Sequence, residues 1–369
     1  SDFRPAAVRE AVERACSIAR RTAEDPCAGL ADPARLAEDP PDLALDHAWD
    51  VSPEEAREMA IRCEGVALDR DPRITNSEGA TVATSRGVRA YGNSHGFFGA
   101  YRRSSHSVSC AVLAGDDGGM ERDYHYTASR NPAELEALEA VGAKAAERTL
   151  RRLGARQVTT ARVPVLFPPE LARGFLGHAV GAASGTAQYR RSSFLLDAAG
   201  EAVFPDFMNI RERPHIPGAF GSAPFDREGV ATTDRDLVAA GVLQGYVLSS
   251  YSARRLGLET TGNAGGVHNL LVEGNAEGRD TLIRQMERGL IVSELMGQGV
   301  NPVTGDYSRG AAGFWVEGGE IAYPVSEITI AGNLRDLYRS IVAVGHDQDL
   351  RGVIRCGSVL VAEMTVAGN

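Results

Sequence analysis

The sequence predicts an α+β protein of two domains, residues 1–153 and 154–369. Three observations carry this. A capping-box helix start stands at Ser52-Pro-Glu-Glu55, where side chains can satisfy the first free N–H groups. From Arg73 to Thr127 the apolar period then changes to two, as in strands. Finally, Glu294–Asn333 is dense in irregularly spaced glycines and reads as strand around Trp315, Val316, Ile321, Tyr323 and Val325. The expected architecture is N-terminal helices with an antiparallel meander. A mostly antiparallel, barrel-like C-terminal sheet with a few helices follows it.

In chain order, Arg4–Arg21 has helical spacing at Val8, Val12, Ala15, Cys16 and Ala19. Asp25–Asp50, rich in Pro, Asp and Ala, reads as an irregular, solvated connector. The capped helix runs to about Leu68. Strands are expected at Thr81–Thr84, Gly87–Tyr91, Phe97–Arg102, Ser105–Leu113 and Met120–Tyr126, with a turn at Asp116-Asp-Gly-Gly119. Asn131-Pro-Ala-Glu134 resembles a second capped start, for a helix through Leu150. The boundary falls near Leu153–Gln157. Beyond it, a strand at Val163–Phe167 leads into a helix opened by Pro168-Pro-Glu170. Phe194–Leu196, Val203–Ile210 and Gly241–Leu248 read as strands and Pro214–Arg227 as a long loop. Ser249–Leu256 and Asp280–Met296 read as helices. A turn at Glu317-Gly-Gly-Glu320 and a last strand, Ser358–Val366, complete the chain.

Composition bounds function. The net charge of −10 argues against a nucleic-acid binder or a partner of anionic membranes. No apolar run approaches the roughly 20 residues of a membrane helix, and no signal-peptide pattern opens the chain. The five cysteines are odd in number and lack CxxC spacing, which fits a reducing cytoplasm better than a disulfide framework. No Gly-x-Ser-x-Gly elbow, P-loop or dinucleotide fingerprint occurs.

The wording Met296-Gly-Gln-Gly-Val-Asn-Pro-Val-Thr-Gly-Asp-Tyr-Ser-Arg-Gly310, followed by Pro324-Val-Ser-Glu-Ile-Thr-Ile-Ala-Gly-Asn333, resembles the PmbA (TldE) branch of the TldD/PmbA family. Asp25-Pro-Cys-Ala-Gly-Leu, Arg73-Ile-Thr-Asn-Ser-Glu-Gly, Tyr91-Gly-Asn-Ser-His-Gly and Thr261-Gly-Asn-Ala-Gly-Gly-Val-His-Asn extend the resemblance along the whole chain. Full-length relatives carry a further N-terminal segment ahead of the part matched here.

The resemblance implies a cytosolic complex with a TldD-type subunit, which carries zinc and processes unfolded peptides such as peptide-antibiotic precursors and antitoxin-like proteins. It implies a homodimer when that partner is absent. In the active branch an HExxxH pattern supplies two imidazole ligands and a carboxylate base. The matching positions here are Gly177, His178 and Ala182, so all three functional groups are missing and this chain is expected to hold no catalytic zinc. Cys356 lies near the C-terminus, as the family's cysteine ligand does, but in a different context, and reads as a small buried residue. Asn263, His268, Asn301, Asp306 and Arg309 are the candidates for holding a peptide, since they combine hydrogen-bonding groups with glycine-rich surroundings. For the Thr261–Asn269 stretch a tight structural turn is the alternative. Asp306 and Arg309 are expected to form a local ion pair or to face a partner. Two other functions remain open: a non-enzymatic regulator, the family having been described as a modulator of DNA gyrase, and an independent hydrolase.

Overall fold

The computed structural model describes residues 2–116 and 119–368. The middle of the expected Asp116–Gly119 turn lies outside them. The fold is α+β, as the patterns imply, and it begins with a helix α1, Pro5–Ala19, none of whose residues is buried.

The connector that follows is irregular apart from one 3-10 turn at Pro33–Arg35, but it is not simply solvated. Ala31, Leu43 and Leu45 are buried. The Leu43 carbonyl accepts from the Gly218 N–H (2.8 Å) and that of Leu45 from the Ser104 N–H (2.9 Å), so backbone bonding ties this stretch down. Helix α2, Pro53–Leu68, starts as expected: the Ser52 hydroxyl accepts from the Glu55 N–H, and the Glu55 carboxylate accepts from the Ser52 N–H.

The five short strands anticipated next are three long ones, β1 (Ile74–Gly92), β2 (Phe98–Asp116) and β3 (Gly119–Ser129), in antiparallel order β1-β2-β3. The expected interruptions at Ser85-Arg86 and Arg103-Ser104 do not form. These residues carry no proline or obligate turn, and the ladder runs through them. The capped start at Asn131 is also corrected. Asn131 caps only a 3-10 turn, and helix α3 begins at Leu138 and ends at Leu150. The intervening chain is drawn toward β3: the Ser129 hydroxyl donates to Glu134 (2.6 Å) and the Glu136 N–H donates to the Thr127 hydroxyl (3.1 Å).

A first core joins Val108, Cys110, Val112 and Ala114 of β2 to Val141, Ala145 and Ala146 of α3 and to Cys63 and Ala67 of α2. The two helices touch at Gly142, where an added Cβ would lie 2.3 Å from the Cys63 carbonyl oxygen. Alanine is favoured over glycine in a helix by about 1 kcal/mol. Overpacking of about 1–3 kcal/mol opposes it here, because the clash is with backbone. Gly142→Ala should therefore lower the melting temperature in calorimetry; a raised value would show that α2 slides away freely.

The remaining chain supplies β4 (Ala161–Phe167), α4 (Pro169–Ala182), α5 (Gly185–Tyr189), β5 (Ile210–Glu212), β6 (Arg235–Ala239), β7 (Val242–Leu243) and α6 (Ser250–Leu256). Then come β8 (Leu270–Val272), α7 (Arg279–Met286), β9 (Gly289–Met296), β10 (Asp306–Glu317), β11 (Glu320–Asn333), α8 (Leu334–Arg339), β12 (Ile341–Val344), β13 (Ile354–Arg355) and β14 (Val359–Ala367). Strands β11-β10-β9-β4-β14 close into a barrel because β11 also pairs with β14 through Thr329–Ala331. The β4–β9 contact is parallel and the others are antiparallel, so the barrel is mixed. A second sheet has the order β13-β8-β5-β6-β7. Helix α4 joins both: Phe175, Leu176 and Ala179 share one buried cluster with Val165 and Trp315 of the barrel and with Ile210 and Val238 of the second sheet.

Four expected elements differ. The residues of Phe194–Leu196 and Val203–Pro205 are turn or coil, although Phe194, Leu195, Val203 and Phe204 are buried. Their backbone is held by side chains and loops, as where Gln188 donates to the Leu195 carbonyl (3.0 Å). Of the strand expected over Val203–Ile210, only Ile210 belongs to β5, and of Gly241–Leu248 only Val242–Leu243 is strand. The helix expected over Asp280–Met296 stops at Met286, Glu287 turns with φ 53°, and β9 follows. Gly289 is the pivot, since a Cβ there would lie 2.4 Å from the Pro164 carbonyl oxygen of β4.

Candidate functional site

The residues in line with the HExxxH pattern lie on α4. The helix starts where the paired prolines place it, Pro169 occupying a first-turn position that needs no N–H partner. Gly177 has only the Ile354 side chain near its missing Cβ, at 3.7 Å. Ala182 is buried, and its carbonyl accepts from Gln188 Nε2 and from the Ser193 hydroxyl, both at 2.7 Å.

His178 is half-buried, its ring edge-on to that of Tyr307 with centroids 6.1 Å apart. Burial, reinforced by the positive charge of Arg309, pushes its pKa below the ordinary histidine value. The Tyr307 hydroxyl is buried without a hydrogen-bond partner among the described residues, and burial pushes its pKa up to about 12. The three positions therefore offer one imidazole beside a phenol and a guanidinium. This set does not fit zinc, which takes three or four anionic or imidazole donors around one point. On a regular helix positions five residues apart diverge by about 140°, so two ligands at such positions require a distorted helix, and Gly177 and Ala182 carry no donor atoms in any case. Among the described residues no group of three or more His, Cys, Asp or Glu is arranged to hold a metal. Cys356 is fully buried, and burial pushes its thiol up to about 12, away from the thiolate a metal requires.

The other candidates separate into two places. Asn263 and His268 lie in the buried turn that follows α6. Asn263 Nδ2 donates to Glu212 (2.8 Å) and to the Gly266 carbonyl (3.1 Å), and its Oδ1 accepts from the Thr261 hydroxyl (2.6 Å). The His268 ring nitrogens meet the carbonyls of Gly262 (3.0 Å) and Gly221 (3.3 Å). The polar groups of this stretch face inward, the geometry of the structural-turn alternative.

Asn301 sits in the turn before β10, its Oδ1 accepting from the Val303 and Thr304 N–H groups. Asp306 and Arg309 are not in a loop; they belong to β10. Asp306 accepts from the Thr304 hydroxyl and Asn333, while Arg309 donates to the Leu295 and Met296 carbonyls. The expected Asp306–Arg309 ion pair is not among those of the described residues. Instead Arg309 shares a strand face with Tyr307 and so comes near His178, bringing the α4 site and the β10 candidate together.

Two residues not foreseen organise the surroundings. Glu212, in the alternating stretch of β5, binds the Asn263–His268 turn. Arg152, two residues past the end of α3, joins Glu121 of β3 to Glu294 of β9. The alternation around Glu212 was readable; the partners of Arg152 were not.

Fold and site together point to an architecture of the metallopeptidase class, which the relatives specify. Residues 46–153 match the PmbA/TldA metallopeptidase central domain, and residues 160–368 match the PmbA/TldA metallopeptidase C-terminal domain. The metalloprotease PmbA of Escherichia coli O157:H7 is 52% identical over 368 residues, covering 100% of this chain and 82% of that protein. A PmbA homolog of Haemophilus influenzae is 48% identical with the same coverage of 100% and 82%. Among solved structures, a putative modulator of DNA gyrase from Bacteroides thetaiotaomicron superposes with a TM-score of 0.90 at 31% identity, covering 95% of this chain and 80% of that one. TldE from Thermococcus kodakarensis shares the fold, with a TM-score of 0.85 at 23% identity over 100% of this chain and 86% of that one. The chain belongs to the PmbA/TldD metallopeptidase family and is a homologue of PmbA-type metalloproteases. No helix of the described residues is long and apolar enough to cross a membrane.

Proposed function

We propose that this chain is the non-catalytic subunit of a cytoplasmic, heteromeric metallopeptidase. It pairs with a TldD-type subunit that holds the zinc, and it helps to position unfolded peptides for cleavage there. Precursors of peptide antibiotics and antitoxin-like proteins are the substrate class. Without that partner it forms a homodimer through the same surface. The observation that carries the reading is the donor set on α4: Gly177 and Ala182 have no ligand atoms, and His178 stands where the carboxylate base would be. Even a weakly held metal would lack a general base for its water.

The test mixes the untagged chain with a TldD-type subunit. The expected results are co-elution as a heteromer, peptidase activity only in the mixture, and zinc well below one equivalent in this chain alone. Stoichiometric zinc together with chelator-sensitive peptidase activity of the isolated chain would overturn the reading in favour of an independent hydrolase. Capture of gyrase rather than the TldD-type subunit would replace it with the regulator reading.

A further inference from the structure

We propose that the free edge of β2 over Phe98–Arg102 takes up an extended peptide as an added strand. This deepens the function proposed above, and rests on it only for the class of ligand.

Strand β3 pairs with β2 only from His106 onward. Before that, Ser104 uses the same edge: its N–H donates to the Leu45 carbonyl (2.9 Å), and its carbonyl accepts from Arg130 Nη1 (2.8 Å). The opposite edge faces β1, as the Ala111 carbonyl shows by accepting from the Ser77 hydroxyl of β1 (3.2 Å). Backbone groups of successive residues alternate between the two edges of an antiparallel strand. Arg102 and Ala100 thus point their N–H and C=O groups the way Ser104 does. Among the described residues nothing bonds to them there.

The gap beside this edge is built into the fold. Past Leu45 the connector peels away from β2, because Ala44 adopts φ 49° and the Gly218 N–H holds the Leu43 carbonyl. What remains is a groove of about 410 Å³ between Asp42–Asp46 on one side and Ala100–Arg102 on the other, with Phe225 beneath. The edge is firm, since the Tyr101 and Phe97 rings meet Phe225 edge-on at 5.4 and 5.2 Å.

An incoming strand would lie roughly 4.8 Å from β2, continuing the line that Leu45 begins. Recognition would come mainly from main-chain hydrogen bonds, which suits unfolded peptides of varied sequence. Side chains add a preference. Phe98, Ala100 and Arg102 share the outer face with Val88 and Ala90, and Phe98 and Val88 are 77% and 67% exposed. This face favours an apolar residue opposite Ala100.

The probe is a fluorescein-labelled hexapeptide of alternating Val and Thr, titrated against the isolated full chain. Saturable binding is expected. N-methylation of its two central residues should weaken binding about tenfold or more, as the loss of main-chain hydrogen bonds requires. Ala100→Pro removes one edge N–H while the β1 ladder, carried by Gly99 and Tyr101, stays intact, and it should weaken binding about tenfold. Arg162→Ala, on the exposed surface of β4 far from this edge, should leave binding unchanged. As a readout that needs no variant, the bound peptide should slow amide exchange at Ala100 and Arg102. Absence of saturable binding at millimolar peptide, equal binding by the N-methylated peptide, or exchange protection confined elsewhere would each overturn the proposal. The heteromer test above is unaffected by any of these outcomes.

Discussion

Glu212→Ala is expected to destabilise the chain by about 3 kcal/mol, near the low end of the cost of stripping a cation of its buried counter-charge, since Arg235 keeps 18% of its side chain exposed. Glu212 is 1% exposed. One carboxylate oxygen accepts from the His268 N–H (2.6 Å) and Asn263 Nδ2 (2.8 Å), and the other accepts from Arg235 Nε (2.6 Å). Arg235 Nη2 already lacks a partner, so removal of Glu212 leaves the guanidinium only its Nη1 bond to the Tyr246 carbonyl (2.9 Å). The His268 N–H is orphaned as well, which adds to the penalty. Glu212→Gln keeps an acceptor for the turn but not the charge, and should fall between alanine and wild type. Urea unfolding of the three proteins measures the order. A loss below about 1 kcal/mol for the alanine variant would mean that water reaches and solvates Arg235.

The same residue explains why the Thr261–Asn269 turn was only half legible. Glycines with Asn and His announce a tight turn or a ligand loop equally well. The choice depends on whether something inside the fold uses the polar groups. Glu212 lies 51 residues from Asn263 in sequence, and no local pattern links them. That contact is made across the fold, and period and propensity do not encode it.

Elements defined by local chemistry were legible: the Ser52 capping box, the Pro-led start of α4 and the Glu317–Glu320 turn between β10 and β11 stand where the residues place them. Failures came where one local pattern fits two structures. Gly289-Leu-Ile-Val292 is continuously buried, and such a run suits a buried strand or a buried helix alike. The close approach of Gly289 to β4 selects the strand, and that contact is invisible in the chain order. For the α4 site, the family resemblance implied the missing donor groups. The neighbour of His178 did not emerge, because Tyr307 is brought to it by barrel closure.

Arg152→Ala is expected to loosen the joint between the first core and the barrel, with a pH signature. Arg152 is 9% exposed and lies among three carboxylates: Glu121 (3.1 Å), Glu294 (2.6 Å) and Asp123 (3.8 Å). Without it Glu121 and Glu294 lose their only ion pair among the described residues, while Asp123 keeps Arg148 at 3.4 Å. The cost of breaking such a buried arrangement is about 3–5 kcal/mol, and the low end applies because Glu294 keeps 37% of its side chain in water. Burial already raises the Glu121 pKa above the ordinary glutamate value of 4.5, and the charge of Arg152 opposes the rise. A carboxylate with a raised folded pKa favours the fold when protonated. Its ionisation lowers stability as pH climbs from the unfolded value through the folded one. Removing Arg152 lifts that folded pKa further, so the variant's deficit should be largest near neutral pH and shrink as pH falls toward 4.5. Urea unfolding of wild type, Arg152→Ala and Arg152→Met across that range gives the answer. Methionine restores much of the apolar stem but no charge, so it should share the pH-dependent deficit. A deficit independent of pH, or one that methionine abolishes, would assign Arg152 a packing role instead of a charge-balancing one.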